Sequence, residues 1–501
     1  MPTDATYAPA APAVALPDTA LPRRQAALRP ARTVVALLCL ATLAGCASFS
    51  GILPSAKPID AQTLGLNNPA ATPGPTLAPM EPENTWWTTL GDDQLQRLVQ
   101  QALDNSPGLR LTQARLERAQ AASAGVASES GLQVNGELDL QRQLFSANSL
   151  YPPPYGGSEY ENGTLQLNAS WELDFFGRNR AALDAALGQE RASAADARAA
   201  RSLLASRVAT TYYQLVRLQA QSALAQRTLE LREQTRKLVQ ERVQAGLDTS
   251  LELRQSEGGL PDARLQLEML SEQKALALNA LAALTAQPAS SLQLSVPPLE
   301  SLHPATPLRS LPLDLLGRRD DIAAARWRVQ AASQDVAAAK SAFYPNIDLV
   351  AFAGFSSFGF NKLVESSSAQ WGVGPAIRLP LFDAGRLRAQ LRGKTADLDA
   401  AVESYNSQVL EAIHESTDQI TSAQAIARQQ AEQAAAQSAA EAAYRIAQQR
   451  YQAGLGNYLQ VLSAEAPLLA QQRQGVDLAA RALQTQVLVL HALGGSVPAT
   501  P

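Results

Sequence analysis

The chain has 501 residues, a formal net charge of −4 and three histidines, His303, His414 and His491. So small a negative charge gives no electrostatic reason to bind nucleic acid. Three scattered histidines suggest neither a metal cluster nor a catalytic triad, and no nucleophile, base and orienting group recur as a set. We therefore predict neither an enzyme nor a metal or cofactor site.

Residues 1–45 are typical of a lipoprotein signal peptide. Arginines at 23, 24, 29 and 32 precede the apolar run "TVVALLCLATLAGC", which is too short for a permanent membrane-spanning helix. The ending "LAGC" resembles the lipobox of bacterial lipoproteins. That resemblance implies a covalent lipid such as palmitate on Cys46, and Ala47 rather than Asp after it favours the outer membrane. An ordinary signal peptide with a chance cysteine is the alternative. Residues 46–85 predict an acylated N-terminus and a Pro-rich tether.

The rest of the chain consists of two similar sequence units, one after the other. The stretch "RVQAGLDTSLELR" at 242–254 returns as "RYQAGLGNYLQVL" at 450–462, and Gly246 and Gly454 lie 208 residues apart. The same offset relates "GRNR" at 177–180 to "GRLR" at 385–388. Shared landmarks in the same order favour an internal duplication.

Each half follows the order helix, strand, loop, strand, very long helix, break, helix. We predict a first repeat at 86–290, a linker at 291–317, a second repeat at 318–495 and a C-terminal tail at 496–501. Neither glycine nor proline occurs at 189–245 or 394–453. Helices that long would reach about 85–100 Å, with narrow apolar seams that suit coiled-coil packing. A static coiled coil would explain these helices but not the strands.

Alternating apolar and polar residues predict strands at 132–146 and 161–175 in the first repeat, and less cleanly at 346–358 and 369–382 in the second. Each is long enough to cross a bilayer with one face towards lipid and one towards water. A soluble sandwich would alternate in the same way, but the lipobox and the long helices favour a barrel.

Four strands cannot close around a channel, and an open sheet in lipid leaves its edge groups unsatisfied. The chain must therefore share a barrel with other copies.

Several stretches together resemble the outer-membrane factors of bacterial efflux and secretion systems, the TolC-like channels, and in particular their lipoprotein branch. They are "WWTTLGDDQLQRLVQQAL" at 86–103, "SWELDFFGRNRAA" at 170–182, "LPLDLLGRRDDIAAARWRVQAA" at 311–332, "AAKSAFYPNIDL" at 338–349, "LPLFDAGRLRA" at 379–389 and "RYQAGLGNYLQVL" at 450–462. The resemblance implies a homotrimer with a twelve-stranded transmembrane β-barrel in the outer membrane, continued by a long α-helical barrel in the periplasm. It also implies a periplasmic adaptor and an inner-membrane pump as partners.

The two Ala-Gly-Leu breaks predict turns between a long and a short helix, with Gly246 and Gly454 in the left-handed conformation. By the resemblance, these turns and the leucines after them, Leu247 and Leu455, lie at the periplasmic end and contact the adaptor. The alternative is that both glycines are plain helix caps.

Four residues near these turns are gate candidates. Tyr451 should find a hydrogen-bond partner on a neighbouring helix pair. The first repeat has Val243 at the equivalent position. Some family channels carry aspartates that ring the closed pore, where this chain has Gln460 and Ser463, so Glu252 of the first repeat would be the one acid near the constriction.

Where the family usually has "RRPDI", this chain has "RRDDI" at 318–322, and we expect Asp320 or Asp321 to cap the following helix. Multidrug efflux, metal-ion efflux and protein secretion through a type I exit duct all fit a channel of this kind. By analogy, the lipoprotein form favours small molecules. A non-transporting structural lipoprotein that spans the envelope is the alternative from another class.

Overall fold

The computed structural model describes residues 48–59, 85–148, 150, 152–292, 294–304 and 318–495. The predicted signal peptide, Cys46, most of the tether, part of the linker and the C-terminal tail lie outside the described residues. Within them, seven α-helices and one four-stranded sheet follow in the order α1 (Asp93–Asn105), α2 (Pro107–Glu129), β1 (Gln133–Leu144), β2 (Glu159–Glu172), α3 (Arg178–Gln244), α4 (Ser250–Thr285), α5 (Asp320–Ser341), β3 (Asn346–Phe358), β4 (Ala369–Arg378), α6 (Arg386–Gln452) and α7 (Tyr458–Ala492). The predicted mixture of helix and strand is confirmed.

The helices α3 and α6 dominate the molecule, with 67 residues each. At 1.5 Å per residue, each is about 100 Å long, as expected. Ala, Leu, Gln, Glu and Arg fill both helices and have high helix propensities. Their starts, Arg178 and Arg386, and their ends, Gln244 and Gln452, are each 208 residues apart.

An aspartate carboxylate stabilises the start of each long helix. The Asp174 carboxylate accepts a hydrogen bond from the backbone N–H of Arg180 at 2.8 Å, and the Asp383 carboxylate accepts one from Leu387 at 2.8 Å. These bonds satisfy backbone donors that have no partner within the first turn. The segment between each strand and the following long helix therefore supplies that helix with a defined cap.

The long helices pack against the shorter ones and are joined through α5. The helix α3 contacts α2, α4, α5 and α7, while α6 contacts α5 and α7. At Gly188 of α3, an added Cβ would lie 3.0 Å from the Cβ of Ala331 in α5. This glycine allows the two helix backbones to approach closely.

The predicted cap of α5 is wrong. The helix begins at Asp320, so Arg319 occupies the cap position and makes no side-chain cap. The two carboxylates are used elsewhere, because Asp320 accepts from Arg198 at 2.7 Å and Asp321 accepts from Arg319 at 2.9 Å. Arg319 is buried and also donates to Glu415 at 2.8 Å. Pairing of this buried cation competes successfully with capping.

The largest apolar core lies around the middle of α3. It joins the stretch that begins at Trp86 and Trp87 to α1, α3, α4 and α7. The buried Asp92 fixes this junction, since its carboxylate accepts from the backbone of Leu95 at 3.0 Å and from the phenol of Tyr212 at 2.8 Å. One side chain thus caps α1 and ties it to α3.

The four strands form one antiparallel sheet in the order β1-β2-β3-β4. The strand at 346–358 has its predicted bounds, but the other three differ from the prediction. β1 covers Gln133–Leu144 rather than 132–146, and β2 covers Glu159–Glu172 rather than 161–175. β2 ends early because Asp174 turns to cap α3. β4 ends at Arg378 rather than at 382, since Pro380 lacks the N–H that would continue the ladder.

The sheet has one apolar and one polar face. Leu138, Leu165 and Trp171 lie on the apolar face and are 62%, 38% and 45% exposed. On the opposite face, the Gln370 amide donates to Gln166 at 3.1 Å, and the Gln166 amide donates to Glu137 at 3.2 Å. Large apolar groups that face solvent in the single chain need another apolar environment.

No helix among the described residues is long and apolar enough to cross a membrane.

Candidate functional site

The two Ala-Gly-Leu turns have the same backbone structure. Gly246 and Gly454 both have φ of 72°, which confirms the predicted left-handed conformation. The N–H of Leu247 bonds to the carbonyl of Arg242 at 2.9 Å, and the N–H of Leu455 bonds to the carbonyl of Arg450 at 2.8 Å. Both turns are therefore Schellman motifs, in which the glycine ends the long helix. A side chain at either glycine would be strained.

Exposed leucines surround both turns. Leu247 and Leu251 are 65% and 62% exposed at the first turn, and Leu455 and Leu459 are 70% and 59% exposed at the second. The two turns follow the ends of α3 and α6 that are farthest from the sheet. A cluster of apolar side chains in this position is typical of a contact surface for another protein.

The predicted gate residue Glu252 takes part in a helix cap. Its carboxylate accepts from the backbone N–H of Thr249 at 3.0 Å and from the Thr249 hydroxyl, while the Thr249 side chain accepts from Leu251 at 3.2 Å. This arrangement is a capping box at the start of α4. Hydrogen bonds from Thr249 lower the pKa of the Glu252 carboxyl.

Gln460 and Ser463 lie on exposed positions of the first turns of α7. The backbone N–H of Gln460 donates to the side chain of Asn457 at 3.1 Å, and the Ser463 hydroxyl donates to the carbonyl of Gln460 at 3.0 Å. The structure therefore places all the predicted gate positions at the same end of the molecule. It gives Glu252 and Gln460 roles at helix starts.

Tyr451 joins the two hairpins. Its side chain is 1% exposed, and its phenol donates to the carboxylate of Asp248 in the first turn at 2.5 Å. The predicted bond to a neighbouring helix pair is confirmed. Val243, the equivalent residue of the first repeat, packs as a partly buried apolar side chain against the cluster that contains Tyr451. Only one of the two hairpins supplies a phenol to this contact.

Arg242 completes the contact, and sequence reasoning missed both it and Asp248. Its guanidinium donates to the two oxygens of Asp248 at 2.9 and 3.3 Å and to the backbone carbonyl of Tyr451 at 3.3 Å. It also lies over the Tyr451 ring, 4.6 Å from the ring centre. Asp248 is a second acid at this end of the molecule, and its side chain is 8% exposed. We call Arg242, Asp248 and Tyr451 the hairpin latch.

A comparison of the two turns contains the missing signal. "RVQAGLDT" and "RYQAGLGN" differ at three positions, and two of these are Val243 against Tyr451 and Asp248 against Gly456. A phenol in one turn and a carboxylate in the other form a complementary pair. The differences between the repeats, rather than their shared residues, mark the contact.

The electrostatics of the hairpin latch favour the charged form of the acid. Burial alone would raise the pKa of Asp248, but hydrogen bonds from Arg242 and Tyr451 hold it below the ordinary value of an aspartate. Burial and the bond to Asp248 raise the pKa of Tyr451, so its phenol remains a donor. The hydrogen bond to Asp248 raises the pKa of Arg242. The three groups therefore form a charge-assisted network.

A second ion pair joins the same two hairpins nearer the sheet, through α7 instead of α6. Arg232 of α3 donates to Glu465 of α7 at 2.9 Å and to the carbonyl of Gly259 in α4 at 2.8 Å. Glu465 is buried, and burial together with this carboxylate raises the pKa of Tyr458 to about 12. The hairpin end therefore holds two polar links between α3 and the second hairpin.

The segment 48–59 runs along α6. The carboxylate of Asp399 accepts from the backbone N–H of Ser55 at 2.9 Å and from its hydroxyl at 2.7 Å. Further along, the side chain of Asn406 accepts from the N–H of Ile59 at 2.8 Å. Polar side chains of α6 thus supply the backbone hydrogen bonds that a neighbouring strand would otherwise give to this extended segment.

The other end of this segment lies at the start of α6. Arg388, in the first turn of α6, donates to the backbone carbonyls of Ser48 and, at 3.3 Å, Ser50. Ile52 is buried in the apolar cluster between α5 and α6, and the ring of Phe49 packs edge-on against Phe343. Residues 48–52 are therefore held beside the end of the sheet from which the long helices start. Ser48 is only two residues from Cys46 in the sequence.

Among the residues that the structure describes, no group of three or more His, Cys, Asp and Glu side chains is placed to hold a metal ion.

Known proteins share this architecture and sequence. A model of the outer membrane efflux protein family matches residues 98–287 and 311–495. The chain is 32% identical over 449 residues to the multidrug resistance outer membrane protein MdtQ of Escherichia coli O157:H7, covering 87% of this chain and 93% of MdtQ.

Two solved structures are similar over most of their length. The outer membrane protein VceC of Vibrio cholerae is 36% identical with a TM-score of 0.76, covering 83% of this chain and 99% of VceC. The outer-membrane channel OprN is 28% identical with a TM-score of 0.77, covering 90% of this chain and 98% of OprN. The chain therefore belongs to the outer membrane efflux protein family and acts as an efflux channel in the outer membrane.

Proposed function

We propose that this chain is the exit channel of a tripartite efflux system, which passively conducts small molecules from a periplasmic adaptor and an inner-membrane pump to the exterior. One observation carries the proposal. A sheet with one apolar and one polar face continues directly into two helices of 67 residues. Such a sheet suits the wall of a membrane channel, and helices about 100 Å long would extend it far into the periplasm.

Three copies would share one barrel. In the described residues, β1 and β4 each pair along one edge only, and an unsatisfied backbone group in hydrocarbon costs several kcal/mol. Twelve strands from three copies would leave no free edge. The exposed Leu265, Met269 and Leu276 lie on one side of α4 and supply an apolar surface for a neighbouring copy.

The exposed leucines at the two turns would receive the adaptor. Leu247 and Leu455 project from the end of the helical barrel that faces the inner membrane in this arrangement. Burial of a leucine side chain contributes about 1.5–3 kcal/mol. The four exposed leucines of each chain, repeated around a trimer, would suffice for a stable contact.

The hairpin latch would hold this end of the channel closed. It ties the first turn to the end of α6 through a largely desolvated ion pair and a buried phenol. The two hairpins can separate only if these bonds break. Contact with the adaptor at the adjacent leucines would then favour the open arrangement.

The held segment at 48–59 supports the predicted lipid anchor. Arg388 fixes Ser48 beside the end of the sheet that continues into the helices. A lipid on Cys46, two residues away, would enter the periplasmic leaflet of the outer membrane next to the barrel. The barrel and the lipid would therefore be two independent attachments.

We expect Cys46→Ala to abolish lipid labelling but leave a protein that still inserts. The barrel alone satisfies its backbone groups in the membrane, whereas one cysteine contributes only the anchor. Metabolic labelling with radioactive palmitate and membrane fractionation would measure both effects. Recovery of the variant as a soluble periplasmic protein would contradict the membrane-spanning sheet.

Deletion of the gene for this chain would test the transport function. We expect a severalfold rise in susceptibility to several unrelated small antimicrobials, reversed by a plasmid copy. Loss of an extracellular protein with unchanged susceptibility would instead favour the type I exit duct. No change in either would favour the static structural lipoprotein.

A further inference from the structure

A phenylalanine lies on the polar face of the sheet, midway along β3. Phe352 of β3 is in register with Asn168 of β2 and with Gly372 of β4. Its ring stands over Gly372, where an added Cβ would lie 2.6 Å from the ring atom Cε1. The side chain is nevertheless 40% exposed. One side of the ring therefore packs against the backbone of β4, and the other side is exposed to solvent.

The next residues on this wall leave room beside the ring. Val350 is in register with Gly374, and an added Cβ at Gly374 would meet nothing within 4 Å. Gly374 therefore leaves a shallow recess beside the ring, bordered by Phe352 and Val350.

A carboxylate lies on the same face, across one strand. Glu137 of β1 accepts a hydrogen bond from the side chain of Asn168 at 2.9 Å and another from Gln166 at 3.2 Å. Asn168 is the residue directly opposite Phe352. Glu137 is in register with Gln166, one row along from Asn168. With strands about 4.8 Å apart and a rise of about 3.4 Å per residue, Glu137 and Phe352 are roughly 12 Å apart along the sheet.

We propose that Phe352 and Glu137 form a subsite in the barrel lumen for a planar aromatic cation. The inference rests on the proposed function, because the polar face lines a lumen only in a closed barrel. A flat ring of the cargo stacks against Phe352, and its positive charge is attracted by the phenyl face and by the Glu137 carboxylate. An aromatic carboxylate meets the same ring but is repelled by the acid.

The wall offers a matched control for the acid. Asp139 lies on the same face one row further along β1, in register with Thr164, which in turn lies opposite Ser356. Glu137 is one row from Phe352, whereas Asp139 is two rows from it. The nearest ring beyond Asp139, that of Phe358, already packs against Phe145, Tyr155 and Tyr160. Asp139→Asn removes the same charge as Glu137→Gln but leaves the subsite intact.

The test uses the full-length protein purified in detergent, with ethidium as the planar cationic probe and salicylate as the anionic aromatic competitor. Fluorescence anisotropy would measure the Kd. We expect Glu137→Gln and Phe352→Leu each to weaken ethidium binding about three- to tenfold, Asp139→Asn to change it less than twofold, and salicylate to compete poorly. Phe352→Leu keeps an apolar side chain over Gly372, so the sheet should still fold.

Equal weakening by Glu137→Gln and Asp139→Asn would overturn the subsite, because it would indicate only a general negative field. Unchanged binding in Phe352→Leu would overturn it as well. Failure of the proposed function is distinguishable, since it would appear as unchanged antimicrobial susceptibility on gene deletion. A wild-type channel that transports but binds no ethidium would overturn the subsite alone.

Discussion

Asp248→Ala should open the hairpin end, and we expect the open probability of single channels in planar bilayers to rise at least tenfold. The substitution removes the acceptor of Tyr451 and the partner of Arg242, whose side chain is only 14% exposed. Removing one member of a buried ion pair costs about 3–5 kcal/mol in the arrangement that keeps the other charge buried. Arg242 regains water when the hairpins separate, so this cost falls on the closed arrangement. Each 1.4 kcal/mol changes the ratio of open to closed channels tenfold.

Tyr451→Phe should have a smaller effect of the same sign. It removes one hydrogen bond, worth about 0.5–1.5 kcal/mol, and leaves the Arg242–Asp248 pair in place. We therefore expect a graded series in which Asp248→Ala conducts more than Tyr451→Phe, and Tyr451→Phe more than the wild type. Entry of vancomycin into cells would follow the same order.

The control for Asp248→Ala is Asp477→Ala. Asp477 of α7 likewise links the two hairpins, through Arg217 of α3 at 3.3 Å and Gln221 of α3 at 2.6 Å, but far from the turns. Loss of the Asp477 carboxylate should weaken the contact between α3 and α7 without opening the hairpin end of the channel. Equal conductance in the Asp248 and Asp477 variants would show that the hairpin latch does not hold the channel closed. The trimer should survive in all variants, as measured by its migration on gels without heating.

The sequence could predict the elements because each follows from local rules. Long glycine-free and proline-free runs predict α3 and α6, and alternation predicts the strands. The errors lie at element ends, where tertiary contacts decide. β2 stops where Asp174 turns to cap α3, and α5 lacks the expected cap because Arg319 and Arg198 take both carboxylates. Such competition between partners distant in sequence is invisible in a local pattern.

The candidate site was predictable in its location but not in its chemistry. The repeated turn identified Gly246 and Gly454, and the unmatched tyrosine identified Tyr451. The partner of Tyr451 lies 203 residues away, and nothing local distinguishes Asp248 from an ordinary turn aspartate. The capping role of Glu252 could have been predicted, because "TSLE" at 249–252 carries the local signature of a capping box. The contact network required the packing of both hairpins.

The second large effect is expected on membrane insertion, from substitutions at the adjacent residues 165 and 166 of β2. Leu165 lies on the apolar face in register with Leu138 and Phe355. We expect Leu165→Arg to abolish insertion, because an arginine near the middle of a membrane barrel on its lipid face costs about 2–4 kcal/mol per chain. Three copies in a trimer would triple that cost. The amount of protein in the outer membrane fraction that migrates as a trimer without heating measures the effect.

Gln166→Arg is the control, because residue 166 is one position along and faces the opposite side. The Gln166 side chain already bonds to Glu137, so an arginine there would lie in a water-filled lumen beside a carboxylate and cost little. The two variants carry the same added charge in the same strand and differ only in the face that receives it. Equal loss of both would mean that the apolar face does not contact lipid. Loss of Leu165→Arg alone, with normal amounts of Gln166→Arg, would identify the polar face as the channel wall.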